Sequence, residues 1–223
     1  MQWSIWLAKW AEASAKLHAT SRPDCFEDAN GKCGKRHLSN LLILATDVLC
    51  EIPRPPKRAL LASCQVHGDP TDADRQTLSA VMAELNDLIA PLQIRLATES
   101  PNVVVHFVPE ARFVEILPEF RPPNRGFHWV RWNEFGEIYA ATVLIPRTGV
   151  SQAERSHILR EELTQSLGFL MDSNRHPDSI FYSGWTTVTE YSDLDRAVIR
   201  LLYDPQVEPG SLPDFADQQS AAN

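Results

Sequence analysis

The chain has 223 residues, of which 43% are hydrophobic, and a formal net charge of -8. This length and hydrophobic content allow one substantial core with a small appendage. The acidic balance and the absence of a long Lys/Arg run argue against nucleic acid and anionic membrane surfaces as partners. The longest apolar run, 140–146, is too short to span a bilayer.

The N-terminal third predicts a small helical extension at residues 1–52. Tryptophans and leucines recur at helical spacing in 1–18, and a second apolar helix is predicted near 38–50. Pro53–Pro56 marks the boundary, because proline stops a helix and stiffens a connection. Lys9 interrupts any hydrophobic signal core, so no clear signal peptide is predicted and both cytoplasmic and exported locations stay open.

Four cysteines occur in this third of the chain, and an even count permits two disulfides in three pairings. Cys25 and Cys33, with His18 and His37, would form a poor zinc site. Seven residues separate the two cysteines, which is more than zinc sites usually have. A disulfide or free thiols are favoured, and the pairing stays undecided. The cysteines are Cys25, Cys33, Cys50 and Cys64.

From residue 53 to 210 the pattern changes to strands alternating with helices, which predicts an α+β domain with a mixed twisted sheet. Asn133–Gly136 is predicted as a hairpin turn, and the tail 211–223 is predicted to be disordered. The predicted strands are 59–66, 102–108, 126–132 and 139–145. Three helices are predicted: one begins at Thr71, one covers 152–170, and one begins at Ser192. An irregular segment at 172–184 separates the last two.

The helix at 152–170 carries Glu161-Glu162-Leu-Thr-Gln165, which has the spacing of the zinc peptidase motif H-E-x-x-H. Glu161 and Gln165 occupy the positions of the two histidine ligands, and Glu162 occupies the position of the general base. Gly168 stands where the longer form of the motif has its glycine. The spacing of the motif is present and its imidazoles are missing.

Together with the closing run 191–203, this helix resembles the metzincin branch of the zinc metallopeptidases. Within that class the chain is most similar to a bacterial family known only as a domain of unknown function, over roughly residues 58–210. The resemblance implies a zincin-like fold with the motif helix against the sheet and a C-terminal helix. The shared segments are Glu161–Gly168, Asp172-Ser173, Ser179–Phe181 and Leu202–Pro205.

Two readings of the motif helix stay open. Carboxylate and amide oxygens suit calcium, magnesium or manganese better than zinc, which predicts a divalent metal held by Glu161, Gln165 and Asp172, with Glu162 as general base. His176 is a further candidate ligand. Alternatively, Glu161 and Gln165 hydrogen-bond the backbone of the irregular segment and clamp 179–181 onto the helix, because buried polar groups need partners.

The segment Phe127–Trp132 corresponds to the edge strand along which metzincins bind peptides, so Trp129 and Trp132 are predicted substrate contacts. Alternatively, one of the two tryptophans packs inward and the other shields the edge. Two functions follow: a metal-dependent peptide hydrolase with an atypical site, or an inactive module that binds peptides or cell-envelope polymers. Whether the protein is an enzyme stays open, as does its oligomeric state. His106 and His128 stand alone in strands and are predicted to be structural.

Overall fold

The computed structural model describes residues 62–210 together with four helical residues, Leu44, Ala45, Asp47 and Val48. The rest of the predicted extension at 1–52 and the tail at 211–223 lie outside the described residues. The strands are β1 (Ala62–Gly68), β2 (Ile94–Leu96), β3 (Val103–Val108), β4 (Phe127–Trp132) and β5 (Ile138–Pro146). The helices are α1 (Asp72–Leu88), α2 (Phe113–Ile116), α3 (Gln152–Gln165) and α4 (Asp193–Leu202).

The five strands form one mixed sheet in the order β2-β1-β3-β5-β4. β1, β2, β3 and β5 run parallel, and β4 runs antiparallel to β5 at one edge. β3 and β5 read as nearly continuous apolar runs, as strands covered on both faces do. The hairpin turn at 133–136 uses Gly136 at a φ of 78° and places β4 at the edge.

α1 and α3 pack together on one face of the sheet and form the main core with α4. Each of these three helices begins with a capping box, in which a Ser or Thr and an acidic residue three positions later exchange hydrogen bonds with the backbone. The N-caps are Thr71, Ser151 and Ser192. These caps fix where each helix starts, which agrees with the starts predicted from sequence.

The other face of the sheet carries a second, smaller core that the sequence reading missed. Phe113, Leu117 and Phe120 pack against Val108 and Leu144 there. Phe113, Leu117 and Phe120 come from a short, irregular segment between β3 and β4, which has too little periodicity to be recognised in sequence. The three-residue strand β2 was missed for the same reason.

α3 ends at Gln165, five residues before the predicted end at Leu170. Beyond it the chain makes tighter turns, and Gly168 takes a φ of 123°, which places it outside the helical region. Its N–H still bonds Gln165 O at 2.9 Å. The turn directs the chain after residue 168 back towards the end of α3.

Two arginines of α3 form ion pairs with carboxylates of α1. Arg155 Nε bonds Asp74 Oδ1 at 2.7 Å, and Arg160 Nη1 and Nη2 bond Glu84 at 3.1 and 2.8 Å. Burial opposes ionisation of Asp74, but hydrogen bonds, first from Arg155, outweigh it and hold the Asp74 pKa below its usual value. The Arg160 guanidinium also lies 4.3 Å from the Tyr191 ring centroid.

The predicted class, α+β with a mixed sheet, a motif helix against it and a C-terminal helix, is confirmed, and the described sheet has five strands. Among the described residues, no helix is both long enough and apolar enough to cross a membrane.

Candidate functional site

The site lies where α3 meets the beginning of the edge strand β4. His157, Glu161 and Gln165 follow one another at four-residue spacing along one side of α3, and Glu162 lies about 100° further round. Glu162 and Gln165 are buried, and the Glu161 side chain is 17% exposed. This surface of the helix is therefore polar but largely covered by neighbouring segments.

Glu162 is bonded across to the edge strand. Its Oε2 lies 2.7 Å from Nδ1 of His128, and both side chains are mostly buried, with 10% and 14% exposed. One proton must lie between these two atoms, because a carboxylate oxygen and a bare imidazole nitrogen would repel at this distance. His128, predicted to be a lone structural histidine, is therefore a partner of the predicted general base.

Gly126 explains how Glu162 comes so close to the strand. A Cβ atom at this position would lie 2.5 Å from Glu162 Oε1 and 2.9 Å from its Cγ, and would also contact Ile158. No side chain fits there without displacing the carboxylate. The requirement for glycine here is thus a close backbone approach to α3.

The far end of the site joins α3 to the segment that follows it. Gln165 Nε2 donates to Asp172 Oδ1 at 2.6 Å, so two of the three predicted metal ligands lie together. Asp172 is exposed as a residue, although its carboxylate rests against the protein at this bond. Glu161 contacts a different partner, His157 Nε2, with its Oε2 at 3.4 Å.

His157 is held in one tautomer. Its Nδ1 donates to Val188 O at 2.6 Å, so Nε2 carries the lone pair when the ring is neutral. That nitrogen lies 3.4 Å from both Glu161 Oε2 and Thr186 Oγ1. Burial lowers the His157 pKa, with the bond to Val188 opposing it.

Ionisation of three carboxyl groups is unfavourable in this site. Burial raises the pKa of Glu161 well above its usual value, and Glu162 and Asp172 add to the shift. Burial, and then the charge of Asp172, raise the pKa of Glu162 in the same way. Partial burial raises the pKa of Asp172, with Gln165 and His128 opposing. Mutual repulsion therefore favours a proton on at least one carboxyl group.

The imidazole of His128 is correspondingly neutral near neutral pH. Burial lowers its pKa to about 4, and the nearby Asp172 charge only partly opposes this. The site therefore combines carboxyl groups that hold protons with an imidazole that has lost one. Such divergent pairs are characteristic of acid–base chemistry.

The predicted metal ligands fit a cation poorly in this arrangement. Glu161 and Gln165 are each engaged with another side chain, and the Gln165 amide nitrogen, not its oxygen, is the atom bonded to Asp172. Over residues 62–210 and the four helical positions before them, no three His, Cys, Asp or Glu side chains are grouped as metal ligands. A hard cation at Glu161, Gln165 and Asp172 stays a prediction, and no chemical step below depends on it.

The clamp predicted for 179–181 is made by another residue. Asp195 on α4 accepts hydrogen bonds from Ser179 Oγ and, at 3.2 Å, from Ile180 N. Glu161 and Gln165 instead contact His157 and Asp172 within the site. His176, predicted as a further ligand, has a buried ring Nε2 with no hydrogen-bond partner, and His106 packs edge-on against His67 on the sheet.

Trp129 and Trp132 do not form one surface. Both are exposed, but Trp129 stacks on Phe127 on the face of the second core, whereas Trp132 pairs with Ile138 of the main core and lies on the face of His128. Of the cysteines, only Cys64 is described, and it is buried. The predicted Cys25, Cys33, His18 and His37 cluster lies outside the described residues.

His128 and Gly126 are the site residues that sequence reasoning missed. A histidine one residue after the start of a strand gives no local signal of its partner, because the contact joins residues 34 positions apart. The helix motif could locate only Glu161, Glu162 and Gln165.

A profile of the family described as "Protein of unknown function (DUF2927)" matches residues 62–218. The chain belongs to this family. The expected membership of a family of unknown function is thereby confirmed. No curated protein matches the chain. Among solved structures, that of myroilysin aligns with 70% of this chain and 85% of that chain, at 11% identity and a TM-score of 0.45; nothing about chemistry follows from so distant a likeness.

Proposed function

We propose that this protein hydrolyses peptide bonds by acid–base chemistry at the Glu162–His128 pair. The observation that supports this most directly is the 2.7 Å contact between Glu162 Oε2 and His128 Nδ1. It joins the helix position expected of a general base to an ionisable side chain on an edge strand. Both groups have displaced pKa values, and both keep some exposure to solvent.

The pair supplies the base and a neighbouring carboxyl group supplies the acid. A water molecule loses a proton to the Glu162–His128 pair as its oxygen attacks the peptide carbonyl carbon. Glu161 or Asp172, protonated because burial raises its pKa, donates to the carbonyl oxygen. The carbon–nitrogen bond then breaks, the amine takes the proton from the base, and the carbonyl oxygen returns its proton to the carboxylate that donated it. Carboxyl groups with separated pKa values divide acid and base roles in this way.

The edge strand explains why a peptide is the proposed substrate. β4 pairs with β5 on one side only within the described sheet, so its other edge offers backbone groups to an added strand. An extended peptide alongside 127–132 would pass His128 and Glu162. Trp132 lies on the same face and would contact its side chains.

The test uses the full-length protein and a mixture of unlabelled peptides, with new termini read by mass spectrometry over a series of pH values. We expect wild-type protein to cleave and Glu162→Gln to lose at least about 100-fold in rate, the usual contribution of a positioned base. Glu99→Gln, an exposed loop carboxylate, is the matched control and should keep full activity.

Parallel reactions contain a chelator, or added calcium, magnesium or manganese. Cleavage that survives the chelator supports the metal-free chemistry. Cleavage that appears only with a divalent ion would replace it by the predicted metal-dependent version with Glu161, Gln165 and Asp172. If no condition gives cleavage, the hydrolase proposal is wrong.

The second candidate is a binding module that captures peptides or cell-envelope polymers without cleaving them. It is favoured by the exposed aromatic side chains of the β4 strand, Trp129 at 39% and Trp132 at 44%. Binding of the same peptides would then weaken in Trp132→Ala and be unchanged in Trp185→Ala, a comparably exposed tryptophan outside the strand. Equal affinity in all three proteins would remove this candidate.

A further inference from the structure

We propose that His67 and His106 form a second, separate site, which binds a divalent transition-metal ion that prefers imidazole ligands, such as zinc(II). The two histidines lie on the neighbouring central strands β1 and β3. In the structure His106 does not stand alone, as the sequence predicted, but contacts His67. The site shares no residue with the one on α3, and it does not depend on peptide hydrolysis.

The register of the sheet brings the two imidazoles together. His67 pairs directly with His106 in the parallel β1–β3 ladder. Side chains alternate along a strand, and Val105 and Phe107 belong to the main core, so His106 between them points to the other face of the sheet. Val66 packs against the main core, which places His67 on that same face. Neighbouring strands lie about 4.8 Å apart, so the two rings share one patch of this face.

The separation of the rings suits one ion bound by both. Their centroids lie 5.1 Å apart, and the angle between their planes is 80°. Imidazole nitrogens bind zinc at about 2.0–2.1 Å, so two rings on one tetrahedral ion have their centres roughly 5 Å apart. Only rotation about side-chain bonds is then needed to point one nitrogen of each ring at the ion. A plain edge-to-face ring contact has similar spacing and is the alternative that the experiment must separate.

His106 supplies an imidazole without a hydrogen-bond partner. Within residues 62–210, no group bonds its ring, and neither of its nitrogens is among the buried atoms that lack partners, so both are accessible. Burial, and then the charge of His67, lower the His106 pKa, so the ring is neutral and keeps a lone pair near neutral pH. On its other side His106 pairs in register with Leu144 of the second core, which limits its movement.

His67 is oriented by Gln65. The Gln65 amide nitrogen donates to Thr98 O at 3.2 Å, so its Oε1 is the atom that lies 3.0 Å from His67 Nε2. An amide oxygen can only accept, so Nε2 carries the hydrogen of the neutral ring and Nδ1 carries the lone pair. A histidine that binds a metal through one nitrogen commonly donates from the other to such an oxygen, which fixes its tautomer. Gln65 is therefore a positioning residue of this site.

Two imidazoles on an open surface define the class of ion. Imidazole nitrogen suits zinc, copper and nickel, whereas calcium and magnesium require oxygen ligands. No third His, Cys, Asp or Glu of the described residues joins the pair, so the remaining positions of a four-coordinate ion are open to water or to another molecule. Both ligands stand on strands that are paired on both sides, which keeps their backbones fixed.

The experiment titrates Zn²⁺ into full-length protein that has first been freed of metal by a chelator, and follows each histidine ring by long-range proton–nitrogen NMR. We expect the His67 and His106 rings to shift together and to saturate at one ion per chain, and Mg²⁺ to leave both unchanged. His67→Ala and His106→Ala should each weaken this binding by at least about tenfold, since loss of a residue that merely supports a ligand already costs that much. Gln65→Leu should weaken it by about tenfold. His176→Ala, which removes an imidazole elsewhere, is the matched control and should bind like wild type.

The outcomes that overturn the site are specific. Rings that shift at different zinc concentrations, or an affinity unchanged in His67→Ala, would mean that the pair is only an edge-to-face contact. His67 is exposed, so its replacement should leave the fold intact, which circular dichroism checks. Zinc-dependent shifts confined to His128 or His157 would place the ion on α3 and refute the proposal as well. Because the titration contains no peptide, its result is independent of whether the protein is a hydrolase.

Discussion

Relative to the wild type, replacing Glu162 by Gln should stabilise the protein as the pH rises, although it changes the hydrogen bond to His128. Burial, with the Asp172 charge, raises the Glu162 pKa above its ordinary 4.5. A carboxyl group with a raised folded pKa contributes stability that is complete below the unfolded pKa and is lost as the pH rises through the folded value. Gln cannot ionise, so the variant is spared this loss.

The magnitude follows from proton counting. Between pH 4.5 and the raised folded pKa, the folded wild type binds about one proton more at Glu162 than the unfolded chain. The free energy of unfolding of the wild type therefore falls relative to the variant by about 1.4 kcal/mol per pH unit. For a chain of this length that corresponds to a relative change in Tm of roughly 3–6 °C per pH unit.

Urea unfolding followed by tryptophan fluorescence at a series of pH values from mildly acidic to mildly alkaline measures the difference directly. Glu99→Gln, which removes an exposed carboxylate, should follow the wild type throughout. A difference between Glu162→Gln and wild type that stays constant or shrinks as the pH rises would refute the reasoning. It would mean that Glu162 is ionised at little cost in the folded state.

Three further substitutions test the packing around the site, each by urea unfolding. Gly126→Ala should cost about 1–3 kcal/mol, because the added Cβ overlaps Glu162 and Ile158, and it should shift the His128 ring resonances. Asp195→Ala should cost about 1–3 kcal/mol for each backbone N–H left unpaired, at Ile180 and Ser192, whereas Asp195→Asn should cost much less because its oxygen still accepts. Arg155→Met should cost about 3–5 kcal/mol by leaving Asp74 buried and uncompensated, and Asp74→Leu in the same chain should restore only part of it, because it also removes the capping box at Thr71.

Helix starts were predictable because their signals are local. Thr71, Ser151 and Ser192 each have an acidic residue three positions later, and all three form the capping box in the structure. The end of α3 was not predictable from sequence. Apolar residues continue to Leu170, although the backbone at Gly168 leaves the helical region. Periodicity reports which residues are buried more reliably than where the backbone turns.

The sequence predicted the helical side of the site together with Asp172, but it missed the strand side. Glu161, Glu162 and Gln165 lie within five residues, and their shared environment follows from helix geometry. His128 and Asp172 join them through contacts that depend on the strand order and on the turn after α3. Trp129 and Trp132 were predicted together although they lie on opposite faces of β4, because alternation gives two faces without saying which one meets α3.

The ion pairs of Arg155 with Asp74 and of Arg160 with Glu84 join α3 to α1. They set the rotation of the helix about its own axis independently of what positions 161, 162 and 165 carry. Side chains at those positions can therefore be exchanged, imidazole for carboxylate or amide, without turning the helix. In this protein the orientation of the helix and the chemistry it presents are separable, which makes positions 161 and 165 suitable places to install a new ligand set by design.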